Sequence, residues 1–145
     1  LEKKKDKIVL VGGCFDVLHL GHVVFLEKAK KLGDKLVVLL ESDESIKKEK
    51  GNNRPINNQE NRAKMLMSLK VVDEVIKLPE MKTDEEYVAL IKKISPSIIA
   101  ITDGDKRILQ KREQAKIVGA KLVVVTKLIP QQSTSRVIEI ITQDL

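Results

Sequence analysis

Five short apolar runs alternate along this chain with stretches of helical spacing, and that alternation leaves few folds open. Segment 7–12, Lys-Ile-Val-Leu-Val-Gly, is rich in β-branched residues and ends on glycine, as a strand buried on both faces does. Similar runs recur at 35–41, 73–78, 97–102 and 121–126. Between them Phe25, Ala29 and Leu32, then Ala63, Leu66 and Met67, then Tyr87, Leu90, Ile91 and Ile94, then Ile108, Ala115 and Val118 recur at helical intervals. The pattern predicts an α/β fold: a doubly wound, Rossmann-like, five-stranded parallel sheet of order 3-2-1-4-5 with helices on both faces. Ligands of such sheets bind at the carboxyl ends of the strands. Asn57 with Glu60 and Thr83 with Glu86 have capping-box spacing, Gly33 and Gly119 sit where helices should stop, and Pro96 closes the helix before the fourth strand. The polar stretch Lys50 to Asn58 reads as a surface loop near the ligand edge. Residues 1–145 are expected to form a single domain, since this length buries a core without disulfides or structural metal.

Composition narrows the function classes. The formal charge of +6 points to anionic partners, yet Phe15, Phe25 and Tyr87 are the only aromatics, too few for the stacking platform of a single-strand nucleic-acid reader. The Lys3, Lys4, Lys5 and Lys7 cluster reads as a solvated tail. One cysteine, Cys14, excludes an internal disulfide, and neither a signal-peptide pattern nor a bilayer-length apolar run is evident, so a cytoplasmic location with no membrane contact is expected.

The chemistry concentrates in Gly12-Gly13-Cys14-Phe15-Asp16-Val17-Leu18-His19-Leu20-Gly21-His22, which follows the first strand and opens the first helix. Both histidines of the protein are here, three positions apart, so in a helix they share a face. A helix start offers unpaired N–H groups and partial positive charge, Gly12 and Gly13 allow a tight turn, and Gly21 allows close approach. Together these describe a triphosphate cradle. A metal site built on the histidines with Cys14 or Asp16 lacks further Cys or His to complete it, so no metal ligand is assigned.

This segment resembles the GxFDxxHxGH signature of the cytidylyltransferase-like nucleotidyltransferases. The resemblance continues through Ser42-Asp43, Lys50-Gly51, Arg54-Pro55-Ile56, Glu60 with Arg62, Gly104-Asp105 and Ser133-Thr134-Ser135, in the family's order over about residues 7–142. The arrangement is similar to the nucleotidyltransferase domain of ADP-heptose synthase, to glycerol-3-phosphate cytidylyltransferase and to archaeal FAD synthase. It departs at Gln131 and Gln132, where relatives commonly carry glycine and an apolar or aromatic residue, and at Leu128, where cytidylyltransferases carry arginine. Those departures bear on nucleotide and acceptor, not on reaction class.

The resemblance implies transfer of AMP or CMP from a nucleoside triphosphate to a phosphorylated small molecule such as a sugar or polyol phosphate, with pyrophosphate released. His19 and His22 are then the catalytic donors to the reacting phosphate. Gly13, Cys14, Phe15, Asp16 and Gly21, with Asp105 after the fourth strand and Ser133, Thr134 and Ser135 at the last helix start, are assigned to the nucleotide. Lys50, Arg54, Arg62 and Asp43 are assigned to phosphate or acceptor. No dense carboxylate cluster is evident, so Mg2+ is expected to arrive with the triphosphate. A homodimer is expected by analogy with relatives, and no nucleic-acid partner. A catalytically silent nucleotide sensor, altered at Gln131 and Gln132, is the alternative, and intact His19 and His22 argue against it.

Overall fold

The computed structural model describes residues 4–126 and 134–143. In chain order the elements are β1 (Ile8–Gly13), α1 (Leu20–Lys30), β2 (Lys35–Leu40), α2 (Asp43–Lys50), α3 (Gln59–Met67), β3 (Glu74–Lys77), α4 (Asp84–Ile94), β4 (Ile98–Thr102), α5 (Ile108–Val118), β5 (Lys121–Thr126) and α6 (Thr134–Gln143). The five strands form one sheet of order β3-β2-β1-β4-β5, all parallel, as the alternation predicts.

Residues of successive parity along the strands divide the core in two. Val9, Val11, Leu36, Val38, Leu40 and Ala100 face Phe25, Leu26 and Ala29 of α1 and Leu66 of α3. Leu10, Val37, Leu39, Ile99 and Ile101 face Ile91 of α4 and Ala115 of α5. Fully burying each such side chain contributes about 1.5–3 kcal/mol, so the nearly uncharged strands are held from both sides. The covering helices change faces between β1 and β4. There the pairing is short: β1 meets β4 only at Val9–Ile98 and Leu10–Ile99, whereas β1 and β2 stay in register to Gly13 and Leu40. Beyond Leu10 the two central strands part and leave a crevice at their carboxyl ends, the place where doubly wound sheets take ligands.

Local chemistry differs from expectation at several boundaries. Helix α2, absent from the stretches of helical spacing, precedes the stretch read as loop and shares only Lys50 with it. Ser42 caps it by accepting from Ser45 N at 3.1 Å, acidic Asp43 and Glu44 open it, Lys47, Lys48 and Lys50 close it, and Ile46 alone anchors it. With one apolar residue it has no periodic stripe, so capping and dipole complementarity are the signals that mark it. The cap of α3 is Asn58, whose side chain accepts from Asn61 N at 2.9 Å, rather than Asn57, which is occupied elsewhere. Thr83 caps α4 as expected, accepting from Glu86 N at 3.3 Å, and Gly119 ends α5 at φ +75°. Met67, read as core, is mostly exposed. Among the described residues no helix is long and apolar enough to cross a membrane.

Gly33 does not end α1 as a left-handed cap; Lys31, in right-handed conformation, closes that helix. Gly33 is needed for space, because a Cβ there would lie 2.6 Å from Lys7 O and 2.8 Å from Val9 Cγ2. Gly33→Ala must push the α1–β2 turn off the first strand, and a loss of about 1–3 kcal/mol is expected, as for overpacking generally. A urea midpoint equal to that of the parent would show that the turn relaxes without cost.

Candidate active site

The β1–α1 turn is built around Phe15, which adopts φ +47°, a left-handed conformation uncommon outside glycine. Its ring lies against Gly13, where a Cβ would come 3.0 Å from Phe15 Cε2, and tilts onto His22 at a centroid distance of 5.2 Å. Phe15 and Gly13, assigned from the motif to the nucleotide, thus form the packing under the histidines.

The two histidines cap α1 reciprocally. His19 is the N-cap and its Nδ1 accepts from Gly21 N at 3.0 Å; His22, three residues on, accepts the His19 backbone N–H on its own Nδ1 at 3.3 Å. This is capping-box geometry with imidazoles in place of hydroxyl and carboxylate. The backbone N–H can only donate, so each Nδ1 is unprotonated and each ring carries its proton on Nε2. The rings stack at 3.8 Å between centroids with 26° between planes. Among the described residues neither Nε2–H has a protein acceptor.

Electrostatics keeps both rings neutral. Burial lowers the His19 pKa below 6.5. Burial, then the neighbouring His19 and Lys50, lower that of His22 to about 3. Because the folded-state value lies below the unfolded one, the unfolded chain takes up a proton first as pH falls, and stability is lost from about 6.5 down toward 3. His22→Gln keeps an acceptor for the His19 N–H but cannot titrate. Between about pH 7 and pH 4 it should lose less stability than the parent, read as urea midpoints; parallel pH curves would mean that His22 titrates normally.

The carboxylate of Asp16, assigned from the motif to the nucleotide, is committed elsewhere. The residue is 1% exposed; Oδ2 accepts from Arg54 Nε and Ile56 N, both at 2.8 Å, and Oδ1 from Asn57 N at 2.9 Å. Asn57 Nδ2 in turn donates to Asp16 O at 2.7 Å. Burial works to raise the carboxyl pKa, but the bonds from Asn57, Ile56 and Arg54 outweigh it and hold it below the usual range. Asp16 therefore pins loop 54–57 against the motif, and its buried side chain is turned to protein rather than to a ligand.

Arg62 is likewise a strut rather than the phosphate ligand that sequence suggests. Fully buried, it donates from Nε to Asn57 O at 2.9 Å, from NH1 to Cys14 O at 2.8 Å and from NH2 to Asp43 Oδ1 at 2.7 Å. One guanidinium thus joins the β1–α1 turn, the loop before α3 and the start of α2, and Asp43 serves as its counter-ion. Its planar fork suits three divergent acceptors as a lysine could not. Arg62→Met should cost about 3 kcal/mol or more in unfolding free energy, the range for breaking a buried pair. Unchanged stability with weakened triphosphate binding would return Arg62 to the ligand.

Other predicted residues do converge on the histidines. Thr134 Oγ1 donates to Val17 O at 3.1 Å, which brings the start of α6 beside the start of α1. Arg54, already bound to Asp16, reaches Ser135 Oγ at 3.5 Å with NH1, and its NH2 is buried without a hydrogen-bond partner among the described residues. Ser133, Leu128, Gln131 and Gln132 lie outside the described residues. Exposed Lys50, at the end of α2, acts on both His22 and Cys14, whose thiol burial pushes up despite that charge.

The crevice between β1 and β4 opens into a cavity of about 580 Å3. Gly13, Cys14 and Lys50 line its end toward the motif, and Leu10, Leu39, Ile91 and Ile99 its apolar floor. Its polar wall was not legible as a site: Glu41, Glu49, Tyr87, Arg107, Lys111 and Gln114 come from four separate elements and loops. Tyr87 reads as helix core, and the others as polar surface. Asp105, assigned to the nucleotide, is in this wall, where it accepts from Arg107 N at 2.8 Å and Lys111 Nζ at 2.7 Å.

Comparison with known proteins agrees with the motif. The family model described as cytidylyltransferase-like matches residues 10–140. The chain is 43% identical over 139 residues to the bifunctional protein HldE of Helicobacter hepaticus, covering 94% of this chain and 27% of that protein. It is 40% identical over 144 residues to the FAD synthase of Pyrococcus abyssi, covering 93% of this chain and 92% of that one. The chain thus spans about a quarter of the HldE relative and nearly all of the FAD synthase. Among solved structures, a lipopolysaccharide core biosynthesis protein from Thermoplasma volcanium superposes with a TM-score of 0.65 at 27% identity, over 86% of this chain and 98% of that one. A pantoate-beta-alanine ligase from Francisella tularensis, at 18% identity and a TM-score of 0.62 over 98% of this chain and 71% of that one, shares the fold. With a family model spanning most of its length and the paired histidines capping α1, this chain belongs to the cytidylyltransferase-like family of nucleotidyltransferases.

Proposed function

We propose that the chain transfers AMP from ATP to a phosphorylated small molecule, with a sugar or polyol phosphate as the acceptor. The observation that carries the reading is the pair of neutral, stacked imidazoles whose Nδ1 atoms are consumed by the helix cap. They leave two preset N–H donors where charge develops on a reacting phosphate. The adenylyl group is favoured over cytidylyl by kinship with an FAD synthase, whose named product contains one.

In the proposed reaction an oxygen of the acceptor's phosphate attacks the α-phosphorus of the triphosphate in line. The new P–O bond makes a phosphoanhydride as the bond to the α,β-bridging oxygen breaks, and pyrophosphate leaves with that electron pair. A phosphate nucleophile has no proton to lose, so no general base is required. Charge gathers on the α-phosphate oxygens and the bridging oxygen, and Nε2–H of His19 and His22 donate to them. Catalysis by neutral donors is consistent with the low pKa of His22. The starts of α1 and α6, with Ser135 and Arg54, would hold the β- and γ-phosphates, and Lys50 the attacking phosphate. Mg2+ is taken in this reading to arrive with the triphosphate, bound to its phosphates. Homodimer formation and a cytoplasmic site of action complete the proposal.

Pyrophosphate release, measured across ATP and CTP with sugar phosphates, polyol phosphates and FMN, tests the reading. Activity should appear with ATP and a hydroxylated phosphate, and His19→Ala or His22→Ala should each lower kcat on the order of a hundredfold, as losing a transition-state donor does. Nucleotide binding without pyrophosphate release in any mixture would favour the sensor.

A further inference from the structure

We propose that Glu41, positioned by Tyr87 and Arg107, is the specificity-determining residue that reads the hydroxyl groups of the acceptor; this rests on the transfer reaction proposed above. Glu41 lies one residue past β2, and its backbone N donates to Gly13 O at 3.1 Å, which fixes it beside the motif that carries the histidines. Its side chain, 11% exposed, lines the cavity.

The carboxylate is balanced in charge but poorly served with hydrogen bonds. It can accept about four. Tyr87 Oη stands 3.0 Å from both of its oxygens, yet one hydroxyl proton satisfies only one of them at a time. Arg107 NH1 is 3.8 Å away, too far for a hydrogen bond, and NH2 of the same side chain is drawn to Glu49 at 3.1 Å. Burial, the largest influence, pushes the Glu41 pKa up, as expected of a carboxylate short of donors. The Tyr87 hydroxyl, held between burial and this carboxylate, is pushed up to about 12 and stays a donor.

The same wall supplies a second acceptor. Gln114, 8% exposed, gives its amide N–H to Asp84 at 2.7 Å, and its amide oxygen remains. Arg107 is shared between two carboxylates and Lys111 is paired with Asp105, which leaves the Glu41 carboxylate to accept O–H donors. Lys50, which acts on His22, lines the same cavity on the side of the histidines. The cavity therefore orients an acceptor with its phosphate toward Lys50 and the histidines and its hydroxyls on Glu41.

The test is calorimetric titration of the full chain with ribose 5-phosphate, a hexose 1-phosphate, glycerol 3-phosphate, FMN, inorganic phosphate and a non-hydrolysable ATP analogue. Sugar phosphates should bind more tightly than inorganic phosphate. Glu41→Gln should weaken them about tenfold or more while inorganic phosphate and the ATP analogue change less than about twofold; a site that loses a matched polar partner discriminates in this way. Tyr87→Phe, which leaves the carboxylate in place but unsteadied, should give a smaller loss in the same direction. A deoxy analogue lacking the contacted hydroxyl should bind parent and Glu41→Gln alike. Equal losses for every ligand, or sugar phosphates no tighter than inorganic phosphate, would each overturn the assignment. Pyrophosphate release in the same mixtures judges the reaction separately. Glu41-dependent binding without release would sink the transfer reaction and leave the hydroxyl reader standing; release with an unchanged acceptor KM in Glu41→Gln would do the reverse.

Discussion

The parting of β1 from β4 after a single pair of register positions governs the rest of this molecule. Strands in a doubly wound sheet pair for most of their length, yet these two central neighbours stop at Leu10 and Ile99. Helices cover opposite faces on either side of that line, so no helix closes the gap at the carboxyl ends. The crevice, the glycines that open the β1–α1 turn and the cavity lined from α4 and α5 all follow from one topological switch.

Holding that open edge in shape requires buried charge. Asp16 and Arg62 are both nearly or wholly inaccessible, and each gathers donors or acceptors from separate loops. A buried ion is costly to desolvate unless every strong direction is met, which is why each sits in a dense set of bonds. The result is a rigid frame in which the imidazoles are fixed not by a carboxylate behind them but by the backbone of the helix they cap. The same bonds that terminate α1 choose the tautomer of both rings.

Much of this was legible in the sequence, for identifiable reasons. Strand runs such as Lys35–Leu40 are continuous in apolar residues because both faces are buried, and no amphipathic alternative competes. The histidine pair stood out because its spacing is a local, helical relation. What escaped were relations between distant segments. Motif position placed Asp16 and Arg62 among ligand-binding residues; coordinates place them among protein partners, since an acidic or basic residue beside a site has the same letter whether it meets a phosphate or a loop. Glu41, Tyr87 and Arg107 gave no signal, each being unremarkable in its own element.

The sequence by itself determined the alternation of strands with helices and the parallel sheet, because hydrophobic periodicity acts over a few residues; α2, with one apolar residue, left no such mark. Tertiary structure alone decided which polar residues are free to meet a ligand. That choice depends on which groups satisfy one another across β1, α2, α3, α4 and α5, and a buried charge spends its hydrogen-bonding capacity on whichever partner the fold brings within about 3 Å.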